Sequence, residues 1–582
     1  MGSASYDDLL RILTRPDREV LFELGGPEGN YLPRLADQAE QSSSIVGPTM
    51  GAPLHNSVRF MADVEGPAEM VRLEVSTDVT FLGRDRFHMV GIPEHTAASV
   101  TASDEYKTVT FDVTGLTPRT TYWARWWIGG KPVGEVMKFR TLAAPGAPAG
   151  VRIGFGSCIL FGRPTTRIPM LERAATKNLD LMMIMGDEDY SDINRNDIFA
   201  FRAANWRKLR RNASFQMLAK VCPMASVESD HSLIGDDKHW DSDYSARGTT
   251  FQEIVATSRQ VLRETFPYYD FVQVTLGESN AEKIILTQKF DTGLSRFWLL
   301  DDQSQRRWSG IGTADKTFLG NGVQPPDRWN QKGWFTDELA AADGDGIKLG
   351  FPVIETGWLN AYADGFPQRA PAEQTDLCNA MRDTVQNAML AILSGDVHSI
   401  LFDDGGNADK STGGGMAVPI AVSSPILRDA ALSGAGPATW LGTSAIFREA
   451  QAMVFLEIAE DNLSWTMTAE AYDPEDDEFV ELGTFSSTDA VPAIQFSQDS
   501  ISGAAGTTVQ VPVERTWFGP VGGVAATITK SSGGTIPLAI GANRKKLTIP
   551  FVVPASAVTL MLSAPVRGVL GARTSITVTP TA

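Results

Sequence analysis

Hydrophobic and polar positions follow different rules in successive parts of the chain. From about residue 45 to 142 they trade places at every second residue. In "TTYWARWWIGG" this alternation puts Tyr122, Ala124, Trp126 and Ile128 on one strand face and Trp123, Arg125 and Trp127 on the other. With "VRLEVSTD", "TVTFDVTGLTP" and "EVMKFRTL", the segment predicts a small β-sandwich. The run "LAAPGAPAG" then breaks the pattern and marks the sharpest domain boundary.

From Val151 the alternation gives way to short continuous apolar runs separated by amphipathic segments. "VRIGFGSC", "LDLMMIMGD" and "PMASVESDH" predict strands; "IPMLERAATKN" predicts a short helix and "NDIFAFRAANWRKLRRNASFQMLAKV" a long one. Further strands follow in "SRFWLLDD", "IKLGFPVIE" and "AMLAILSGDVH". Strand–helix–strand alternation implies a largely parallel sheet covered by helices, so 151–487 is expected to be an α/β unit. After about Ser487 the chain is rich in Thr, Val, Gly and Ser, again alternates, and carries no helix signal. An immunoglobulin-like sandwich is expected over 490–582. Residues 1–44 read as an N-terminal arm, with Ser5 placed to cap a short helix in "SYDDLLRILTR".

The 582 residues suffice for about two to four domains with buried cores. A net charge of −19 argues against nucleic-acid backbones and anionic membranes as partners, and requires a site for phosphate esters to bring its own cations. The three cysteines, Cys158, Cys222 and Cys378, are too sparse for a disulfide framework and form no CxxC pair. The first 26 residues have no apolar h-region and no later run approaches membrane-spanning length, so the chain reads as carrying neither secretory signal nor membrane span, as a mature form would.

The chemistry gathers where the α/β strands end. Cys158 closes "GFGSC", Asp187 closes "MIMGD", Asp230 and His231 close "ASVESDH", and Asp396 and His398 close "LSGDVH". Acids crowded at strand ends repel one another unless a cation lies between them. Two cations about 4 Å apart suit phosphoester hydrolysis, because one acidifies water and the pair stabilises attacking and leaving oxygens. Taken singly, each residue has a bland explanation: an inert buried thiol for Cys158, a packed aromatic for Tyr190, a helix cap for Asp187. Their ordered placement at successive strand ends favours the metal.

Over residues 45–487 the chain resembles the alkaline phosphatase D (PhoD-like) family of metallophosphoesterases. The family's FxSC, GDxxY, DDHE/D, LDxRxxR and SGDVH motifs find "FGSC", "GDEDY", "SDHS", "LDDQSQR" and "SGDVH" in the same order. "NQKGWFTDELA" matches its Q-x-x-W-L helix and "DGFPQR" its W-D-G-Y-x-x-x-R segment. The resemblance implies an α/β metallophosphoesterase core, a β-sandwich flanked by helices, behind a fibronectin-III-like sandwich. It implies that Cys158, Asp187, Tyr190 and His398 ligate an iron-type ion (Fe3+). Asp187 would bridge to a Ca2+ site completed by Asp396 and Asp236, the latter placed five residues after His231. Asp230 and His231 would lie beside the metals, His231 as proton donor to the leaving oxygen. Arg306 and Arg369 would clamp the phosphoryl group.

The sequence also departs from the pattern. Ser229 and Ser232 flank Asp230-His231 where the family has acids, Gln303 replaces an arginine, Ala363 a tryptophan, and Arg369 arrives one residue early. Neutral Gln303 cannot supply an arginine's bidentate charge. The expected function is hydrolysis of phosphoric mono- or diesters. The rival is a structural or adhesion protein, of a virion or cell surface, that uses the domain as scaffold and assembles through its terminal domains, as a homo-oligomer or otherwise. The family suggests a secreted or periplasmic setting.

Overall fold

The computed structural model describes residues 44–65, 70–82, 86–91, 107–160, 165–188, 190, 207–233, 251–272, 285–307, 316–320, 329–358, 369–427, 445–447, 451–487, 493–515, 524–540, 543–544, 546–566 and 569–581. The expected N-terminal arm with Ser5, and Asp236, lie outside them.

The alternating N-terminal segment folds into β1 (Ser44–Gly51), β2 (Ser57–Glu65), β3 (Val71–Ser76), β4 (Arg86–Gly91), β5 (Lys107–Thr114), β6 (Thr121–Ile128) and β7 (Lys131–Arg140). β1, β2 and β5 face a second sheet of order β4-β3-β6-β7. Phe60, Phe111, Tyr122, Trp126 and Phe139 fill the space between them. In β6 the face carrying Tyr122, Ala124 and Trp126 is buried, as the alternation requires. Trp127 on the other face is also covered, because the Arg72 guanidinium lies 4.2 Å from its ring centre.

The central unit contains β8 (Val151–Gly156), β9 (Leu181–Met185), β10 (Met224–Val227), β11 (Gln288–Thr292), β12 (Ser295–Leu299), β13 (Leu349–Ile354), β14 (Met389–Leu390), β15 (Ile392–Ser394), β16 (Ile400–Asp403), β17 (Ile420–Val422), β18 (Ala445–Phe447), β19 (Ala452–Ile458), β20 (Trp465–Asp473) and β21 (Glu478–Ser486). They form two mixed sheets, not the one largely parallel sheet expected. The first runs β21-β20-β19-β8-β9-β10-β1-β2-β5 and the second β11-β12-β13-β15-β17-β16-β18. Each has a parallel centre, β8-β9-β10-β1 and β12-β13-β15-β17, edged by antiparallel strands. Apolar runs establish buried strands but not which sheet each joins.

The two sheets meet face to face. In β9, Leu181, Met183 and Met185 point between the sheets, while Met182 and Ile184 pack against the helices outside. Burial on both faces explains why β9 reads as an uninterrupted apolar run. Tyr269, Phe290, Phe297 and Phe351 stack through the intersheet core with ring centres 4.6, 4.8 and 4.7 Å apart. Helices Pro169–Ala175, Ala213–Ala219 and Phe251–Thr265 cover the first sheet, and helices Gln331–Ala342 and Pro371–Asp383 the second.

The long helix expected over 196–221 is interrupted. Residues 207–210 are helical, but Asn212 adopts an extended backbone and its side chain accepts the Phe215 N–H, starting a new helix at Ala213. An N-cap asparagine competes with helical continuation, and hydrophobic periodicity alone does not show the break. Among the described residues no helix is long and apolar enough to cross a membrane.

Residues 493–581 form sheets of four and five strands around Ile494, Val511, Ile528, Leu560 and Val578. Fully buried Asn543 ties this unit to the core. Its Oδ1 accepts the Leu390 N–H (2.8 Å) and its Nδ2 donates to Ala388 O (2.8 Å). Asn543→Ala would strand both buried backbone groups. We expect it to cost about 1–3 kcal/mol in denaturant unfolding; an unchanged midpoint would show that water replaces the amide.

Candidate metal centre

At the ends of the parallel strands the backbone turns sharply and presents polar side chains into one buried space. Cys158, Asp187, Asp396 and His398 all have left-handed backbones, with φ of 63°, 53°, 64° and 49°. L-residues rarely adopt this conformation, and it concentrates where function over-determines the backbone. Serine hydroxyls hold three of the four in place. Ser229 Oγ accepts the Asp187 N–H (2.9 Å), Ser157 Oγ the Asp396 N–H (3.0 Å) and Ser424 Oγ the His398 N–H (3.1 Å). Ser229, a departure in the sequence, therefore has a defined task.

Glycines leave the room. A Cβ on Gly186, whose φ is +80°, would stand 2.5 Å from Glu355 Cγ and 2.7 Å from Ser229 Cβ. One on Gly395 would stand 2.8 Å from Met185 O. The Gly-Asp pairs of "MGDEDY" and "SGDVH" are thus packing requirements as well as motifs.

Asp187 is the hub. Its Oδ2 accepts the Tyr190 hydroxyl (2.7 Å) and lies 3.5 Å from Cys158 Sγ. Tyr190 Oη is also 3.0 Å from His398 Nε2, and its ring centre is 4.5 Å from that of His231. Three sets of potential ligand atoms lie within 4.8 Å of one another: Cys158, Asp187 and His398; Asp187, Asp230 and His231; Asp187, Glu355 and Asp396. Asp187 belongs to all three.

The structure thus gathers Cys158, Asp187, Tyr190, Asp230, His231, Asp396 and His398. Arg306, almost fully buried, joins through Nη2, 3.5 Å from Asp230 Oδ2. Its loop is stapled by Asp301, which accepts the backbone N–H groups of Leu286, Gln303 and Ser304. Arg369 is half-buried, just before the helix Pro371–Asp383. Glu355, at the end of β13, escaped the sequence reading. Its signal was present: "IKLGFPVIE" is another apolar run ending in acid.

The donors fit a metal. Asp187 Oδ1 and Glu355 Oε1 are buried without a hydrogen-bond partner among the described residues, a costly state for an oxygen unless a cation occupies the space. Burial raises the pKa of Asp187, Glu355 and Asp396, and neighbouring carboxylates push each further. Burial likewise raises Cys158 and Tyr190, with Asp187 beside both. Such groups ionise together only with positive charge among them. One half of the centre offers sulfur, phenol and imidazole; the other offers carboxylates alone.

No protein-family profile matches the chain, and no curated protein does. Among solved structures, that of PhoD superposes with a TM-score of 0.60 at 17% identity, over 76% of this chain and 90% of PhoD. The chain has a PhoD-like fold. At that identity the likeness carries the fold, and the chemistry must be argued from the residues. A sensor domain of the anti-sigma factor RsgI4 from Pseudobacteroides cellulosolvens aligns at a TM-score of 0.13 and 15% identity, over 18% of this chain and 91% of its own, too weakly to carry an argument.

The raised carboxyls fix a pH dependence. In the metal-free fold they keep protons that the unfolded chain has released, so their stabilisation is complete in acid and is lost as pH rises through their folded values. Asp302 is pushed up to about 6 and Glu373, buried beside Thr317, up to about 7. Ion-paired acids such as Glu460, held down at about 2, act in the opposite sense and below that window. We expect the urea midpoint of chelator-treated protein to fall from about pH 5 to 8, and added divalent cation to reduce the slope. A midpoint that rises across this range would contradict the assignment.

Proposed function

We propose that this chain hydrolyses phosphoric mono- or diesters with metal ions gathered around Asp187. The observation that carries this reading is the sharing of Asp187 by three ligand sets while its buried Oδ1 lacks a described partner. Cys158, Asp187, Tyr190 and His398 would hold a strongly Lewis-acidic ion of the ferric type. Asp187, Asp396 and Asp236 would hold a hard ion such as calcium. Bound there, such ions supply hydroxide at neutral pH and neutralise the phosphoryl oxygens.

The chain's own residues complete the reaction. Water attacks phosphorus in line as the ester P–O bond breaks, and no side chain becomes esterified. His231, beside Tyr190 and Asp187, delivers a proton to the departing ester oxygen. Asp230 orients the Arg306 guanidinium, which with Arg369 steadies the phosphoryl oxygens. Residues 151–487 would form the hydrolase domain, flanked by a fibronectin-III-like unit over 45–142 and an immunoglobulin-like unit over 490–582.

One observation favours a second reading. Gln303 stands where the family has arginine, and its amide is engaged by Glu355 and Thr356. A centre without that arginine clamp suits a scaffold of a virion or surface assembly. Turnover of bis-p-nitrophenyl phosphate and p-nitrophenyl phosphate at mildly alkaline pH, with iron and calcium supplied, separates the two. We expect Asp187→Asn to lower the rate by more than about 100-fold and His231→Gln by about 100- to 10,000-fold. Absence of turnover on both esters in the folded, metal-loaded chain would leave the scaffold.

A further inference from the structure

We propose that Glu355 is a carboxylate ligand of the hard-cation half of this centre, and that Gln303 is the residue that holds it there. The inference rests on the metal-dependent reading above but is tested by binding instead of turnover.

Glu355 leaves β13 in the second sheet, next to β15, whose end carries Asp396; Asp187 comes from β9 in the first. Its backbone carbonyl accepts the Gly395 N–H at 3.2 Å, which ties it to the Asp396 turn. Only 2% exposed, it places a carboxylate oxygen within 4.8 Å of oxygens of Asp187 and Asp396. The space it occupies is kept open from the opposite sheet, because any side chain on Gly186 would collide with its Cγ.

Its two oxygens have different surroundings. Oε2 accepts the Gln303 side-chain amide, and Oε1, equally buried, has no hydrogen-bond partner among the described residues. A buried carboxylate pinned through one oxygen, with the other unpartnered among the described residues and two more carboxylates close by, has the disposition of a metal ligand. Gln303 is itself buried, and its Nε2 also approaches Thr356 Oγ1 at 3.2 Å. Thr356 in turn gives its N–H to Asp302 Oδ2 (2.7 Å).

This explains why position 303 is neutral. An arginine there would supply a permanent positive charge and compete with a cation for Glu355. Glutamine orients the carboxylate and leaves its charge available. Asp187, Glu355 and Asp396 then form a set of oxygen donors alone, the chemistry of calcium and manganese ions.

The test uses the full chain, stripped with chelator and titrated calorimetrically with calcium alone and with manganese alone. Iron content after loading is counted by elemental analysis. Glu355→Gln is expected to weaken calcium binding by about tenfold or more and to shrink the calcium-induced rise in melting temperature. Iron stoichiometry should stay at the wild-type value. The stripped variant should melt no lower than stripped wild type, because a buried acid whose ionisation the fold opposes has been replaced by a neutral amide. Gln303→Leu, which leaves Glu355 charged but unheld, should weaken calcium severalfold, and it carries the test if Glu355→Gln does not fold. Unchanged calcium and manganese affinity in the folded variants would overturn the assignment. A wild-type chain that binds no cation would overturn the metal reading with it. Glu355-dependent calcium binding in a chain that hydrolyses no phosphoester would sustain the assignment and remove only the hydrolase.

Discussion

Mutual repulsion among carboxylates at the ends of two opposed sheets is the constraint on which this structure turns. Asp187, Glu355 and Asp396 present oxygens within 4.8 Å of one another. Two ionised groups at that separation repel by about 3.5 kcal/mol at an effective dielectric of 20. Three such pairs would be untenable in a fold of ordinary stability without protons or a cation among them. Because the acids come from both sheets, a cation that relieves the repulsion also links the sheets at that edge. The stacked rings of Tyr269, Phe290, Phe297 and Phe351 join the same sheets through the apolar interior.

Backbone strain is the second cost concentrated at this edge. Four candidate ligands have positive φ, and single such residues cost about 1–3 kcal/mol. Ser157, Ser229 and Ser424 meet that cost with hydrogen bonds to backbone N–H groups, leaving the ligand side chains free to face inward. The site's geometry is therefore fixed by the turns themselves. This matches the requirement that a multi-metal centre hold its ligands at fixed separations.

Much of this was legible in the sequence because burial on both faces turns β9 and β13 into continuous apolar runs, and a polar residue ending such a run stands out. Cys158, Asp187, Asp230, His231, Asp396 and His398 stand out by that contrast, and Tyr190 by its spacing from Asp187. Glu355 carries the same mark in "GFPVIE" but lies outside the family's motifs, so motif order conceals what strand logic shows. The sheet assignment was not legible, since an apolar run records that a strand is buried and not which partner it pairs with. The break at Asn212 was missed because helical periodicity continues across it while the capping bond that ends the helix is a local, polar event. Ser229 looked like a loss because its role is played through the backbone of Asp187, forty-two residues away in sequence.

β1 pairs with β2 inside the N-terminal sandwich, then meets β10 of the central sheet at Gly51 and Met224. Gly51 is confined there, since a Cβ would stand 2.5 Å from Met224 O and 2.6 Å from Pro267 O. Ala52 continues the join by donating its N–H to Met224 O at 3.1 Å. One sheet thus runs from the N-terminal unit to the strand that precedes Asp230 and His231. The sandwich is a cantilever welded to the edge that carries the candidate metal centre and not a module on a swivel. Anything seated on its outer face is held at a set distance and bearing from the centre, so the N-terminal unit can serve as a ruler for whatever approaches it.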